Sequence, residues 1–165
     1  MDKQIIRVGM DIGGVIRSKY SESKPVKEYL ATSPLKNAIE VIKNIIELCG
    51  AENTFIISKC PMYAEKVIKT WLDDQNFFTD IGFIRSNVHF CRERTDKAKI
   101  AKQLGLTYFI DDRVEVLDAM RDIVSYRILF TGGGNHEKSD DKTIISIDSW
   151  DSIQDNIQKR YTNLK

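Results

Sequence analysis

Short runs of apolar and β-branched residues alternate along the chain with longer segments in which apolar residues recur every three or four positions. This alternation is typical of a parallel β-sheet that is covered by helices on both faces. The pattern therefore predicts an α/β fold, a three-layer Rossmann-like sandwich with a mainly parallel central sheet. The predicted strands cover residues 5–11, 54–58, 88–90, 108–111, 126–130 and 144–147.

Five helices are predicted between and after these strands. The clearest has Ser33 as its N-cap and Pro34 in its first turn, and it stops at Gly50. The others begin at Pro61, near Asp96, after Arg113 and after Ser149. The long irregular connection at 16–32 is too short to be a domain. We therefore expect one domain over residues 1–165, with a flap or loop at 15–34.

Charge and composition narrow the classes of partner. The 25 Lys and Arg residues against 24 Asp and Glu residues give a net charge of +1, which argues against whole-surface attraction to nucleic acid or anionic lipid. No apolar run resembles a secretory signal or a membrane span, so we expect a soluble, cytoplasmic protein without a membrane partner. Three cysteines without C-x-x-C spacing indicate reduced thiols.

Polar residues follow several of the predicted strands, where functional groups collect in an open α/β sheet. Asp11 ends the first strand, Ser58 the second, and Asp111 and Asp112 the fourth, while Lys97 begins the helix before that strand. Each has a structural alternative: Asp11 could cap a turn, and Ser58 and Asp112 could cap the helices that follow them. Together, however, three carboxylates at one sheet edge repel each other unless a cation or protons offset their charge.

Oxygen ligands of this kind favour a hard metal, most naturally Mg²⁺ with several bound waters. Lys97 in the first helical turn opposes the helix dipole, at a cost of about 0.3–1 kcal/mol, unless an anion or a carboxylate lies beside it. Ser58 and Lys97 would then donate to a bound phosphate, and Asp11 would be a nucleophile that forms an aspartyl-phosphate. The pattern therefore predicts phosphoryl transfer.

Four strings carry these residues: VGMDIGGV at 8–15, FIISK at 55–59, TDKAKIAKQLGL at 95–106 and YFIDDR at 108–113. In this order they resemble the four motifs of the haloacid dehalogenase-like (HAD) superfamily. The resemblance implies that Asp11 is the nucleophile and that Mg²⁺ is held by Asp11, the carbonyl of Gly13, and Asp111 or Asp112. The sequence leaves open which of the last two is the direct ligand.

One position departs from the family pattern. HAD phosphatases carry a second aspartate two residues after the nucleophile, and it protonates the leaving group; here that position is Gly13. Such proton transfer contributes a factor of about 10² to 10⁴, so we expect a slow enzyme unless another group substitutes. Arg17, Lys59 or His89 could substitute, but we favour a surface or structural role for each.

The gaps between the motifs leave no room for the cap domain of many HAD enzymes, so the chain resembles a capless member. In that family an open site often serves large substrates, such as phosphoproteins or nucleic-acid ends. The substrate-binding candidates are Gly14, Lys59, Arg92 and Arg94. For Arg92 and Arg94, surface ion pairs with acids such as Glu93 and Asp96 are the favoured alternative to nucleic-acid binding.

Residues 131–137, TGGGNHE, could cradle a phosphate through backbone N–H groups, but no GK[ST] follows and we expect a mobile loop. Two functions therefore remain. An Mg²⁺-dependent phosphohydrolase or phosphotransferase is favoured by the motif positions that are kept. A catalytically impaired module that binds phosphorylated ligands is favoured by Gly13.

Overall fold

A computed structural model describes residues 5–21 and 23–163 of the chain. Six strands pair in parallel in one sheet with helices on both faces, which confirms the predicted three-layer α/β fold. All six strands lie where the pattern predicts, although the first is shorter than expected and the second and third each run one residue further. They are β1 Val8–Met10, β2 Thr54–Lys59, β3 Val88–Cys91, β4 Tyr108–Asp111, β5 Tyr126–Phe130 and β6 Ile144–Ile147.

The strand order is β3-β2-β1-β4-β5-β6, so β1 lies at the centre between β2 and β4. The chain winds outward from β1 in one direction to β3 and then crosses over to β4 and continues in the other. Adjacent connections diverge where the order reverses, which opens a crevice beyond the carboxyl ends of β1 and β4. This is the edge at which the predicted polar residues lie.

Six α-helices of the described residues surround the sheet. They are α1 Val26–Leu30, α2 Ala38–Cys49, α3 Met62–Asp74, α4 Asp96–Gln103, α5 Val114–Ala119 and α6 Trp150–Asn163. Five were predicted; α1 lies inside the connection predicted to be irregular, because five residues are too few to reveal a helical period. In the described part of the chain no helix is long and apolar enough to cross a membrane.

The predicted start of α2 is wrong. Ser33 does not cap it, and the N-cap is Asn37 in the left-handed conformation, with a φ of 61°. Pro34 instead forms an antiparallel bridge with Arg17, and the N–H of Leu35 donates to the carbonyl of Ile16 at 2.8 Å. Pairing with the segment after β1 therefore holds Pro34 and Leu35 extended, and the helix begins four residues later than predicted.

Two apolar layers hold the sheet between its helices. Ile56 on β2 packs into the layer beneath α1, α2, α3 and α6, which includes Trp71 and Trp150. Phe55 and Ile57, its neighbours along the strand, point to the opposite layer beneath α4 and α5, because successive side chains of a strand alternate between faces. Within residues 5–21 and 23–163, no helix or strand stands outside these layers as a cap.

Candidate active site

Three carboxylates meet at the crevice between β1 and β4. Met10 on β1 is in register with Ile110 on β4, so the next residues, Asp11 and Asp111, end neighbouring strands at the same level. Oxygen atoms of Asp11, Asp111 and Asp112 all lie within 4.8 Å of one another. The fold therefore brings these three side chains together, as predicted.

Lys97 lies between two of the three carboxylates. Its Nζ is 3.0 Å from Oδ2 of Asp11 and 2.8 Å from Oδ2 of Asp111, and its side chain is only 2% exposed. Burial acts to lower the pKa of Lys97, but the negative charges of Asp11 and Asp111 outweigh it and the pKa is raised. Lys97 therefore remains an ammonium that joins the ends of β1 and β4.

Without a metal ion, Asp111 and Asp112 ionise less readily than ordinary aspartates. Burial raises the pKa of Asp111 to about 7, while Lys97 opposes the rise and Asp11 adds to it. Burial, followed by the charge of Asp11, raises the pKa of Asp112 to about 6. A single ammonium therefore leaves negative charge in excess, and the hard oxygen donors fit a cation such as Mg²⁺.

Backbone N–H groups orient the carboxylates. Oδ1 of Asp11 accepts from the N–H of Ile12 at 2.8 Å, and Oδ1 of Asp111 accepts from the N–H of Arg113 at 3.0 Å. Since Lys97 occupies the other oxygen of each, Asp112 is the least engaged of the three acids. The capping alternative for Ser58 and Asp112 is wrong, because the N-caps of the helices that follow them are Pro61 and Arg113.

A cavity of about 180 Å³ opens beside these carboxylates. The Ser58 hydroxyl forms no hydrogen bond within the described residues and so has a free donor. Lys59 is exposed and lines the same cavity. The cavity brings together most of the predicted site residues: Asp11, Gly13, Ser58, Lys59, Arg94, Lys97 and Asp112.

Two predicted substrate-binding residues, Gly14 and Arg92, do not line the cavity. Arg92 pairs with Glu65 and donates to the carbonyl of Cys60 at 2.9 Å. Arg94 lines the cavity but pairs with Glu115 at 2.8 Å. Both arginines are thus held by acids, as the structural alternative expects, although the acids are not those next to them in sequence.

The two glycines after Asp11 have different surroundings. A Cβ at Gly13 would meet nothing within 4 Å, so this position has open space where the usual acid would lie. A Cβ at Gly14 would lie 2.4 Å from Oδ2 of Asp112, and Gly14 has a φ of +77°. Close approach and backbone conformation both require glycine at position 14, whereas neither requires it at position 13.

The loop at 131–137, predicted to be mobile, is instead tied to the site. Gly133 packs so closely on the Gly14 backbone that a Cβ would lie 1.9 Å from the Gly14 carbonyl oxygen. Asn135 donates to the carbonyl of Asp112 at 2.8 Å and to its Oδ2 at 3.3 Å. Glu137 accepts from the N–H of Val114 at 2.8 Å, at the start of α5. In the sequence, only the run of three glycines indicated that this loop packs closely against another part of the backbone.

The three alternatives for the missing acid lie in different places. His89 is half-buried and does not line the cavity, and burial lowers its pKa. Lys59 is exposed and lines the cavity. Arg17 is buried in the cavity wall, so of the surface and structural roles only the structural one remains; burial lowers its pKa, while nearby Tyr29 and Asp11 oppose this.

No protein-family model matches the chain, and no curated protein matches it. Among solved structures, a haloacid dehalogenase-like family hydrolase from Xanthomonas campestris is similar, with a TM-score of 0.66, 8% identity and 98% of each chain covered. A de novo designed Rossmann 3x3 fold protein has a TM-score of 0.44 at 10% identity over 93% of each chain. The Xanthomonas structure shows that this chain has a HAD-like fold.

Proposed function

We propose that this protein is a capless member of the HAD superfamily and acts as an Mg²⁺-dependent phosphohydrolase or phosphotransferase. One observation carries the proposal: Lys97 lies 3.0 Å from Asp11 and 2.8 Å from Asp111, at the point where the strand order reverses. A buried cation between two carboxylates beside an open cavity suits a reaction in which negative charge moves between oxygen atoms.

Asp11, Asp112 and the carbonyl of Gly13 would hold Mg²⁺, which when bound supplies positive charge to the phosphate oxygens. We assign Asp112 rather than Asp111 as the direct ligand of the fourth motif. Asp111 is completely buried and does not line the cavity, whereas Asp11 and Asp112 both line it. Asp111 would then hold Lys97 in position, and its negative charge would still act on the bound cation.

Asp11 is the nucleophile in this proposal. One of its carboxylate oxygens attacks phosphorus, the bond from phosphorus to the ester oxygen breaks, and the leaving group departs with the electron pair of that bond. Ser58 and Lys97 donate to the phosphoryl oxygens as this happens. The oxygen of water, or of another hydroxyl acceptor, then bonds to phosphorus, and the bond from phosphorus to the Asp11 oxygen breaks. The proton of the acceptor passes to solvent, and the carboxylate of Asp11 is restored.

The test is Mg²⁺-dependent hydrolysis of an activated aryl phosphate beside an unactivated nucleoside monophosphate. An activated leaving group needs little protonation. Comparison of the two substrates therefore distinguishes the lack of a general acid from the lack of a working active site. We expect turnover of the aryl phosphate that is lost in Asp11→Asn and kept in Asp80→Asn, which changes an exposed aspartate outside the cavity. Turnover that survives Asp11→Asn would overturn the nucleophile assignment.

The second candidate is a module that binds phosphorylated ligands without turning them over. The open space at Gly13 favours it, because no side chain occupies the position of the general acid. Binding of Mg²⁺ and inorganic phosphate with no hydrolysis of either ester would support the module against the enzyme. The two candidates share the cavity and differ only in the fate of the ester bond.

The substrate is a phosphorylated molecule, and a large one is favoured because no helix or strand of residues 5–21 and 23–163 covers the crevice as a cap. If the substrate is a nucleic-acid end, Arg92 and Arg94 would bind its phosphates. Affinity for nucleic acid should then depend on salt, and Arg92→Ala and Arg94→Ala should both reduce it. Their ion pairs with Glu65 and Glu115 favour the structural role, so we expect these variants to leave nucleic-acid affinity unchanged.

A further inference from the structure

Arg17 is a buried cation without an acidic partner. It is 4% exposed, and it lines the same cavity as Asp11 and Lys97. Its Nη1 donates to the carbonyl of Ser18 at 3.1 Å, but its Nε is buried with no hydrogen-bond partner among the described residues. Arg17 takes part in no ion pair of the described chain. Arginine is rarely buried in this way, since a guanidinium that leaves water normally pairs with a carboxylate or a phosphate.

Aromatic rings hold the guanidinium in place. Its central carbon lies 3.8 Å from the ring centroid of Tyr29, 5.4 Å from that of Tyr20 and 5.9 Å from that of Trp71. Cation–π attraction to these rings offsets part of the cost of burial. The rings carry no formal charge, and Asp11 acts on Arg17 without forming an ion pair, so no carboxylate of the described residues contacts the guanidinium. The result is a cation that is fixed in position and free to meet an anion.

The backbone of Arg17 is joined to the turn that carries the nucleophile. Its carbonyl accepts from the N–H of Gly14 at 2.8 Å, and its N–H donates to the carbonyl of Ile12 at 3.2 Å. A bridge to Pro34 holds its other side. Arg17 and the proposed phosphoryl site are therefore parts of one short, hydrogen-bonded segment, which keeps their separation constant.

The other arginines of the cavity differ from Arg17 in their partners. Arg94 pairs with Glu115 at 2.8 Å and Arg113 pairs with Glu137 at 3.0 Å. Their charges are thus already compensated within the chain. Among the arginines that line this cavity, Arg17 is the one that forms no ion pair with a carboxylate of the described residues.

We propose that Arg17 binds a second anionic group, a phosphate or a carboxylate, on the same molecule that places its phosphoryl group at Asp11. The inference rests on the proposed function, and it narrows the substrate to phosphomonoesters that carry a second negative group a few atoms from the ester. Arg17 would contribute to affinity and to the choice of substrate.

The test measures binding, so it does not depend on turnover. Calorimetry compares alkyl bisphosphates of two to four carbons, and phosphorylated carboxylates of the same length, with the matched alkyl monophosphates in the presence of Mg²⁺. We expect the second anion to raise affinity at least about tenfold in the wild type and Arg17→Met to remove that gain. The bisphosphate and carboxylate arms identify which anion Arg17 prefers.

Two variants separate binding from a structural role. Arg17→Lys keeps the charge but loses the planar fork, so it should retain part of the gain if the charge meets an anion. Arg160→Met removes an arginine 4.6 Å from the ring centroid of Tyr126, outside the cavity, and should leave the gain intact. An equal gain in wild type and in folded Arg17→Met would overturn the inference and make Arg17 a structural link between the flap and α3. If Arg17→Met does not fold, Arg17→Gln replaces it as the variant without the charge, and an undiminished gain in Arg17→Gln overturns the inference.

The failure of this inference is distinguishable from that of the proposed function. Hydrolysis of the aryl phosphate without any gain from a second anion would overturn the role of Arg17 alone. A gain that depends on Arg17, with no hydrolysis of any ester, would support the second anion site and overturn the enzyme in favour of the binding module.

Discussion

The Nζ of Lys97 lies 2.8 Å from Oδ2 of Asp111, and both side chains are almost completely removed from solvent. Lys97 is the second residue of α4 and Asp111 ends β4, so this ion pair joins the two ends of one helix–strand unit. The same Nζ also reaches Asp11 at the end of β1. One ammonium therefore connects three elements at the edge of the sheet, and several properties of the protein should depend on it.

Lys97→Met should lower the free energy of unfolding by about 3–5 kcal/mol, because removing one partner leaves buried carboxylates uncompensated. Urea denaturation in a metal-free buffer above neutral pH measures it. The matched control is Lys99→Met on the same helix, whose side chain is 77% exposed and pairs with Asp96, and it should cost less than about 1 kcal/mol. Equal effects of the two substitutions would show that the buried ion pair contributes no more to the free energy of unfolding than the exposed one.

Gly13→Asp should raise turnover of an unactivated phosphate monoester by a factor of about 10² or more, because it supplies a general acid where the structure has open space. Turnover of the activated aryl phosphate should rise much less. Steady-state kinetics on both substrates provides the comparison. No change on the unactivated ester would show that leaving-group protonation does not limit this protein.

The matched control for that gain is Gly14→Asp. Its Cβ would lie 2.4 Å from Oδ2 of Asp112, on a backbone whose φ is +77°. We therefore expect a loss of Mg²⁺ affinity and of stability, with no gain in turnover. Two aspartates placed one residue apart should thus have opposite effects.

Stability without metal should fall as the pH rises from weakly acidic to alkaline. The pKa of Asp111 is raised to about 7 and that of Asp112 to about 6, in both cases first by burial, so the folded state binds protons that the unfolded state has released. Their stabilising contribution is complete below about pH 4 and is lost as the pH rises through about 6 and 7.

Melting curves with a chelator and with Mg²⁺ check this pH dependence. Mg²⁺ binds the ionised carboxylates, so it should raise the melting temperature more near pH 8 than near pH 5. Asp112→Asn should weaken both the pH dependence and the response to Mg²⁺. A response to Mg²⁺ that is the same at both pH values would contradict the assignment of these acids as the metal site.

Asn135→Ala should weaken Mg²⁺ binding by a factor of about 10, because Asn135 donates to both the carbonyl and the carboxylate of Asp112. Titration of Mg²⁺ by calorimetry measures the change. Asn87→Ala is the matched control, since Asn87 donates to the carbonyls of Ala51 and Thr54 away from the cavity. An equal loss in both variants would mean that Asn135 acts only through stability.

Local sequence patterns were enough to predict the six strands and the carboxyl-end positions of Asp11, Ser58 and Asp111. Buried parallel strands are continuous apolar runs, and a polar residue that ends such a run must lie at the sheet edge. Lys97 could be predicted for a similar reason, because a lysine in the first turn of a helix is unfavourable unless a negative group lies beside it. These features depend on residues that are close together in the chain.

Only the tertiary structure decided which distant residues meet. The start of α2 depends on pairing between Pro34 and Arg17, the fixing of Asp112 depends on Asn135, and the burial of Arg17 depends on the rings of Tyr29 and Trp71. No periodic pattern in the sequence indicates these contacts, because each joins segments that the fold brings together from different parts of the chain. The sequence by itself determined the sheet and the acids at its edge, and packing between distant segments determined the walls of the cavity and the charge left unpaired within it.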